Sequence, residues 1–164
     1  RRGAICLGGN HGSFLEELLV NPKIFQHWIR LGGLQTLASY GISQGTLDVT
    51  TCNATQRSLQ FALPRTHRLF LQCLQNTFYY GDFLFVHAGI RPGIPLNQQD
   101  PRDLMWIRED FLMSDQPHGK IVVHGHTPVA HPEIRHNRIN IDTGAWRSGV
   151  LTCIAIEAST VLVL

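Results

Sequence analysis

With 164 residues, 43% of them hydrophobic and 16% charged, the chain has the length and balance of one domain able to bury a substantial core. No apolar run is long enough to cross a bilayer, and the formal net charge of +2 comes with arginines scattered along the chain, so neither a membrane partner nor a nucleic-acid partner is expected. The four cysteines, at 6, 52, 73 and 153, form no C-x-x-C and mostly lie within apolar runs, which fits reduced thiols packed as small hydrophobes in a cytoplasmic protein.

In chain order, residues 4–8 read as a strand. Ser13 to Val20 reads as a helix with Phe14, Leu15, Leu18 and Leu19 on one face, and Ser13 with Glu16 forms an S-x-x-E capping box that places its start at Ser13. Pro22 breaks it, and residues 23–41 predict two short helices separated by Gly32-Gly33. Residues 43–63, rich in Ser, Thr, Gln, Gly and Asn, read as a surface excursion. The stretch LPRTHRLFLQCLQN has helical spacing in Leu63, Leu69, Phe70, Cys73 and Leu74, with Pro64 tolerated in the first turn. TFYYGDFLFVHAG predicts two strands joined by a Gly81-Asp82 turn, and DPRDLMWIREDFL a helix with Asp100 as N-cap. Strands follow at KIVVH, RINID and VLTCIAIE, and VLVL closes the series as an edge strand after a turn at Ala158 and Ser159. The pattern is mixed α/β, with helices first and strands crowded toward the end, and no internal repeat.

Nine histidines are the least ordinary count. Three expected strand ends share a pattern: the first runs into Asn10-His11, the second into His87, the third into His124-Gly125-His126. Ligands of open α/β sheets bind beyond the carboxyl ends of the strands, so side chains from separate strands can converge there without being neighbours in sequence. Each histidine alone is more simply a hydrogen-bonded rim residue; three in one setting point to a ligand set. Imidazole nitrogens with an amide oxygen suit a hydrolytic divalent metal better than a copper or iron–sulfur centre. His124 reads as packing support, and His27, His67, His118, His131 and His136 as surface residues.

GNH at 9–11, HAG at 87–89 and GHT at 125–127, together with FVHAGIRPG, LMWIRED, VVHGHTPV and INIDTGA, resemble the later motifs of the calcineurin-like metallophosphoesterase superfamily. The nearest branch looks like bacterial serine/threonine phosphoprotein phosphatases and symmetrical diadenosine tetraphosphatases. The resemblance implies a layered β-sandwich flanked by helices, and a metal-activated water acting at a dinuclear centre. It implies that Asn10, His87 and His126 ligate one divalent ion, Mn²⁺ first, with Fe or Zn as alternatives. It also implies that His11 protonates the leaving oxygen, that Arg108 grips the substrate phosphate, and that Arg91 is a further phosphate contact. From sequence alone, pairing of Arg108 with Asp103 or Glu109 on a helix surface is the commoner outcome. Asp142 reads as shaping the IDTG turn through an Asx-type hydrogen bond.

The family's first metal site uses D-x-H and GDxxDRG upstream of GNH, and neither occurs in these residues. Residues 1–164 are therefore expected to be a single phosphoesterase domain lacking its N-terminal part, on the order of 60 residues if two strand–helix units are missing. At most one ion is expected here, against two in an intact relative, and weak or no phosphatase activity from this stretch alone. Exposed strand edges and apolar faces that call for another chain are expected as well. Gly8 stands where members usually carry a basic residue, and Gly12 where they carry an acidic one. The expected substrate is a phosphorylated protein. A dinucleoside tetraphosphate is the nearest alternative, with 43–63 shaping the choice, and a non-catalytic scaffold is the alternative of another class. A nuclease fits less well, because Pro128 follows GHT where those members tend to carry a second histidine.

Overall fold

A computed structural model describes residues 3–42 and 52–164; residues 43–51 of the expected excursion lie outside the described residues. The chain divides into two compact units, Asn10–Leu74 and the residues up to Gly9 together with Gln75–Leu164.

The first unit is helical. Helix α1 spans Asn10–Val20 and buries Phe14, Leu15 and Leu18. It begins three residues before the expected capping serine, and the Ser13 hydroxyl donates back to the Asn10 carbonyl at 2.8 Å instead of receiving an amide. Serine has both options, and inside the first turn it takes the back-bond. The Asn21 side chain accepts from the Lys23 amide and caps a 3₁₀ turn at Pro22–Ile24. Helices α2 (Phe25–Ile29) and α3 (Gly33–Ser39) follow, divided at Gly32-Gly33 as expected. A methyl group on Gly33 would lie 2.6 Å from the Trp28 indole, so the glycine makes room for the largest buried side chain of the unit.

Residues 52–62 correct the expected excursion, because Cys52–Ala62 is helix α4. Its polar composition hides a narrow buried seam of Thr55 and Leu59. Gln56 and Gln60, one turn apart, both donate to the Leu19 carbonyl near the end of α1, at 3.1 and 2.6 Å. Helix α5 (Arg65–Gln72) confirms a helix here, but Pro64 is its N-cap and not part of its first turn, and none of its residues is buried; Leu69 and Phe70 are exposed.

The second unit is built on a five-stranded sheet of order β1-β2-β3-β5-β4. Strands β1 (Thr77–Tyr80) and β2 (Phe83–Val86) form the expected hairpin through Gly81, which takes φ +53. Strands β3 (Ile121–His124) and β5 (Arg138–Asn140) run parallel to β2, and β4 (Glu133–Ile134), too short to read from sequence, pairs antiparallel to β5. Strands β6 (Ile154–Glu157) and β7 (Thr160–Val163) pair only with each other. The strand expected at 4–8 reduces to one parallel bridge of Leu7 with Gln75.

The helix expected over 100–112 is two pieces, α6 (Pro101–Trp106) and α7 (Glu109–Leu112). Asp100 caps α6 through the Arg102 amide at 2.8 Å. The helix stops because Ile107 turns to extended backbone, φ −59 and ψ 143, with its side chain in the core. Alternation sorts the sheet's two faces. Leu84, Val86 and Val122 pack against Leu104, Ile107 and Phe111 in a sealed layer. Phe83, Val123 and Ile139 form the other face, with half-buried Phe85, Ile121 and Ile141 beside Ile154, Ile156 and Val161. All four cysteines are free thiols, but Cys6, Cys73 and Cys153 are exposed and Cys52 half-buried, so they do not pack as core residues. Among the described residues, no helix is long and apolar enough to cross a membrane.

Candidate functional site

Parallel strands share a direction, so β2, β3 and β5 end at one edge of the sheet. The pairing runs one step past the strands: the Gly125 amide donates to the His87 carbonyl at 2.8 Å, and the Ile141 amide to the His124 carbonyl at 2.9 Å. The chain then bends sharply at His126, which takes φ +67. The Thr127 amide closes this three-residue turn on the Gly125 carbonyl at 2.8 Å. A left-handed non-glycine residue costs on the order of 1 kcal/mol, and such strain collects at functional sites.

The turn aims His126 at His87. Their Nδ1 and Nε2 atoms are 3.2 Å apart, and the ring planes meet at 60°. Trp106 of α6 sets its indole edgewise on the His126 ring at 5.8 Å. Gly9 leaves room for His87: a methyl group there would sit 2.9 Å from its Nδ1. Gly125 lets Asp142 approach, since its added methyl would lie 3.3 Å from Asp142 Cβ. A cavity of about 340 Å³ opens beside the pair, lined among others by Leu7, His87, His126, Asp142 and Leu151.

Asn10 and His11 belong to the helical unit, where Asn10 is the buried first residue of α1. His11 is exposed and meets Phe14 edge-on at 6.5 Å. Arg108 is exposed at the break between α6 and α7, and its Nη1 donates to Thr127 Oγ1 at 2.9 Å. Its expected competitor Asp103 is engaged elsewhere. Arg91 holds that carboxylate edge-on, Nε to Oδ2 at 2.6 Å and Nη2 to Oδ1 at 2.8 Å, and reaches Asp110 through Nη1 at 2.9 Å. The Arg91 hydrogen bond holds the Asp103 carboxyl below its ordinary range, so it stays ionised. Asp142 forms the expected Asx turn, its Oδ1 accepting the Gly144 amide at 2.9 Å.

The support beneath the rim includes His124, expected as packing support, together with Arg138 and Asn140, which sequence reasoning missed. His124 is 2% exposed; its Nδ1 faces the Gly125 carbonyl at 3.1 Å, and its Nε2 faces Arg138 Nη1 at 3.5 Å. This network assigns the proton to Nδ1. The Gly125 carbonyl thus accepts from both His124 and Thr127, which fixes the turn that carries His126. Burial, opposed by the Gly125 hydrogen bond and aided by the Arg138 charge, pushes the His124 pKa down to about 4, so the ring is neutral. Arg138, also 2% exposed, is paired with Glu133 at 3.0 Å. Buried Asn140 donates to the Thr127 carbonyl at 2.9 Å. A charged residue at the start of the expected strand RINID was the one available signal for Arg138.

The imidazole pair fits a shared cation. At 3.2 Å the two nitrogens are within hydrogen-bond distance, and a divalent ion held by both would take the place of the shared proton. The donor set of the sheet unit is partial: among the described residues, no group of three or more His, Cys, Asp or Glu side chains is gathered to hold an ion. Fold and rim together define a mixed α/β chain with a strained histidine pair at the carboxyl edge of a parallel three-strand core. Compared with known proteins, the chain matches no family model and no curated protein.

Proposed function

We propose that the chain is part of a metal-dependent phosphoester hydrolase, most directly a cytoplasmic serine/threonine phosphoprotein phosphatase. The observation that carries this reading is the 3.2 Å approach of His87 Nε2 and His126 Nδ1 on a strained turn. In this reading both nitrogens would hold one divalent cation, Mn²⁺ first, with Fe or Zn as alternatives. Asn10 adds an amide oxygen on the strength of its place in the G-N-H motif. Such a cation would supply Lewis acidity toward a phosphoryl oxygen and make water a competent nucleophile near neutral pH.

The chain's own groups do the rest. Arg108 offers a planar fork to two phosphate oxygens, with Nη1 steadied by Thr127 and no carboxylate within salt-bridge distance among the described residues. By the resemblance of its G-N-H motif, His11 would be the group that protonates the departing oxygen. Trp106 limits rotation of the His126 ring, and neutral His124 holds the Gly125 carbonyl beneath it.

Turnover by residues 1–164 is expected to be weak, because the sequence carries no D-x-H or GDxxDRG to hold a second ion. The test is therefore a ratio. With Mn²⁺ present, hydrolysis of a phosphoserine peptide is compared with that of diadenosine tetraphosphate. Preference for the peptide that disappears in His87→Ala supports the reading, and preference for the dinucleotide moves the substrate to the neighbouring class. A second reading, a binding module with one ion and no turnover, is favoured by the same missing carboxylates. It predicts Mn²⁺ binding with neither substrate cleaved.

A further inference from the structure

Arg91 was expected to touch phosphate, but its position suggests another task. Its guanidinium spans the break in the helix: Asp103 belongs to α6 and Asp110 to α7, with Trp106, Ile107 and Arg108 between them. In an unbroken helix those two carboxylates would lie about 10 Å apart along the axis. One guanidinium bonded to both fixes the offset between the two short helices.

The base of this strut is itself held. The Arg91 amide donates to Gln99 Oε1 at 2.7 Å, and Gln99 Nε2 donates to the carbonyls of Arg91 and Ile94 at 3.0 and 2.8 Å. Two residues before Arg91, Gly89 at φ +152 leaves the space that the Phe111 ring of α7 fills. The loop that carries His87 therefore seats α7 twice, by packing and by charge. Both arginines line a cavity of about 260 Å³, but Arg91's charge is matched there by two carboxylates, whereas Arg108 bonds only a neutral hydroxyl among the described residues.

We infer that Arg91 is a positioning residue: by clamping Asp103 and Asp110 across the break it sets where Arg108 presents its guanidinium, and it does not itself bind the phosphate. The inference rests on the reading of Arg108 as the phosphate ligand. Its tests separate failure of the one from failure of the other.

Inorganic phosphate is titrated by calorimetry into the Mn²⁺-loaded full chain, as wild type, Arg91→Met, Asp110→Asn, Arg108→Met and the Arg91→Met/Arg108→Met double variant. A positioning role predicts that Arg91→Met and Asp110→Asn each weaken phosphate binding about five- to tenfold, and that Arg91→Met adds nothing once Arg108 is gone. Arg102→Met, which removes a charge from the same cavity, is the control and should change affinity less than about twofold. Direct contact by Arg91 predicts the reverse: tighter or unchanged binding in Asp110→Asn, where Arg91 is released, and additive losses in the double variant. Either result overturns the inference.

Hydrogen exchange over Trp106–Leu112 needs no phosphate. Faster exchange there in Arg91→Met and Asp110→Asn, at an unchanged global melting temperature, sustains the clamp even if wild type binds no phosphate and the reading of Arg108 falls. Unchanged exchange in both variants overturns the clamp whatever the phosphate titration gives. Asp110 is largely exposed, so Asp110→Asn remains informative if Arg91→Met fails to fold.

Discussion

His124 and His126 are separated by a single glycine and live under opposite conditions. His124 lies in the sealed layer between sheet and helices, edge-on to Phe111 at 5.0 Å, with its ring neutral and both nitrogens engaged. His126 stands at the rim on a strained turn, facing His87 beside a cavity. The interior keeps the His124 imidazole neutral beside the paired Arg138 charge, whereas the His126 ring borders open space. Gly125 joins them, because its carbonyl takes the His124 and Thr127 hydrogen bonds that hold the turn. Changes in the interior should therefore cost stability first, and changes at the rim should cost binding with little effect on stability.

The largest expected stability effect is in the interior. Phe111→Ala removes a fully buried ring that shares a core cluster with Leu104 and Val122 and meets the His124 ring edge-on, and should destabilise the fold by about 4 kcal/mol. Urea unfolding measures this, and a loss below about 1 kcal/mol would mean the layer is not sealed. Acid comes next. The folded-state pKa of His124 is depressed to about 4 from an ordinary 6.5, so the unfolded chain takes up the proton first as pH falls. Its contribution is fully present above the unfolded value and is lost as pH drops toward the folded one, by at most about 3 kcal/mol. Burial shifts His118 in the same direction. Urea midpoints should fall between about pH 7 and about pH 4.5, and His124→Leu should flatten that slope. An equal slope in the variant would locate the acid sensitivity elsewhere.

The smallest effect is the sharpest on the rim side. Gly9→Ala forces a methyl group against His87, so Mn²⁺ binding should weaken about fivefold while the melting temperature holds within about 2 °C. A large loss of stability with unchanged Mn²⁺ affinity would erase the distinction between rim and interior.

Much of the sheet was legible because its strands are short apolar runs rich in Val, Ile and Phe, and because Gly81-Asp82 is a turn pair. The rim was legible for a related reason: a histidine directly after an apolar run has to emerge at the strand's end. Features set by tertiary contact were not legible. Helix α4 has too few apolar residues to show a period, and its glutamines find partners on α1, forty residues away in sequence. The start of α1 at Asn10 turned on which way the Ser13 hydroxyl points. The break at Ile107–Arg108 follows from burial of Ile107 and from Arg91 reaching across it, and neither leaves a mark in local spacing. Arg138 and Glu133 meet only because a two-residue strand folds back on β5.

Calorimetric titration of Mn²⁺ into the chain at neutral pH tests the central claim most directly. The His87–His126 pair predicts a single site in the wild type, weakened about 100-fold or more in His87→Ala and in His126→Ala, with urea unfolding unchanged in both. Absence of a Mn²⁺ site in the wild type, or a site that survives both substitutions intact, would contradict the account.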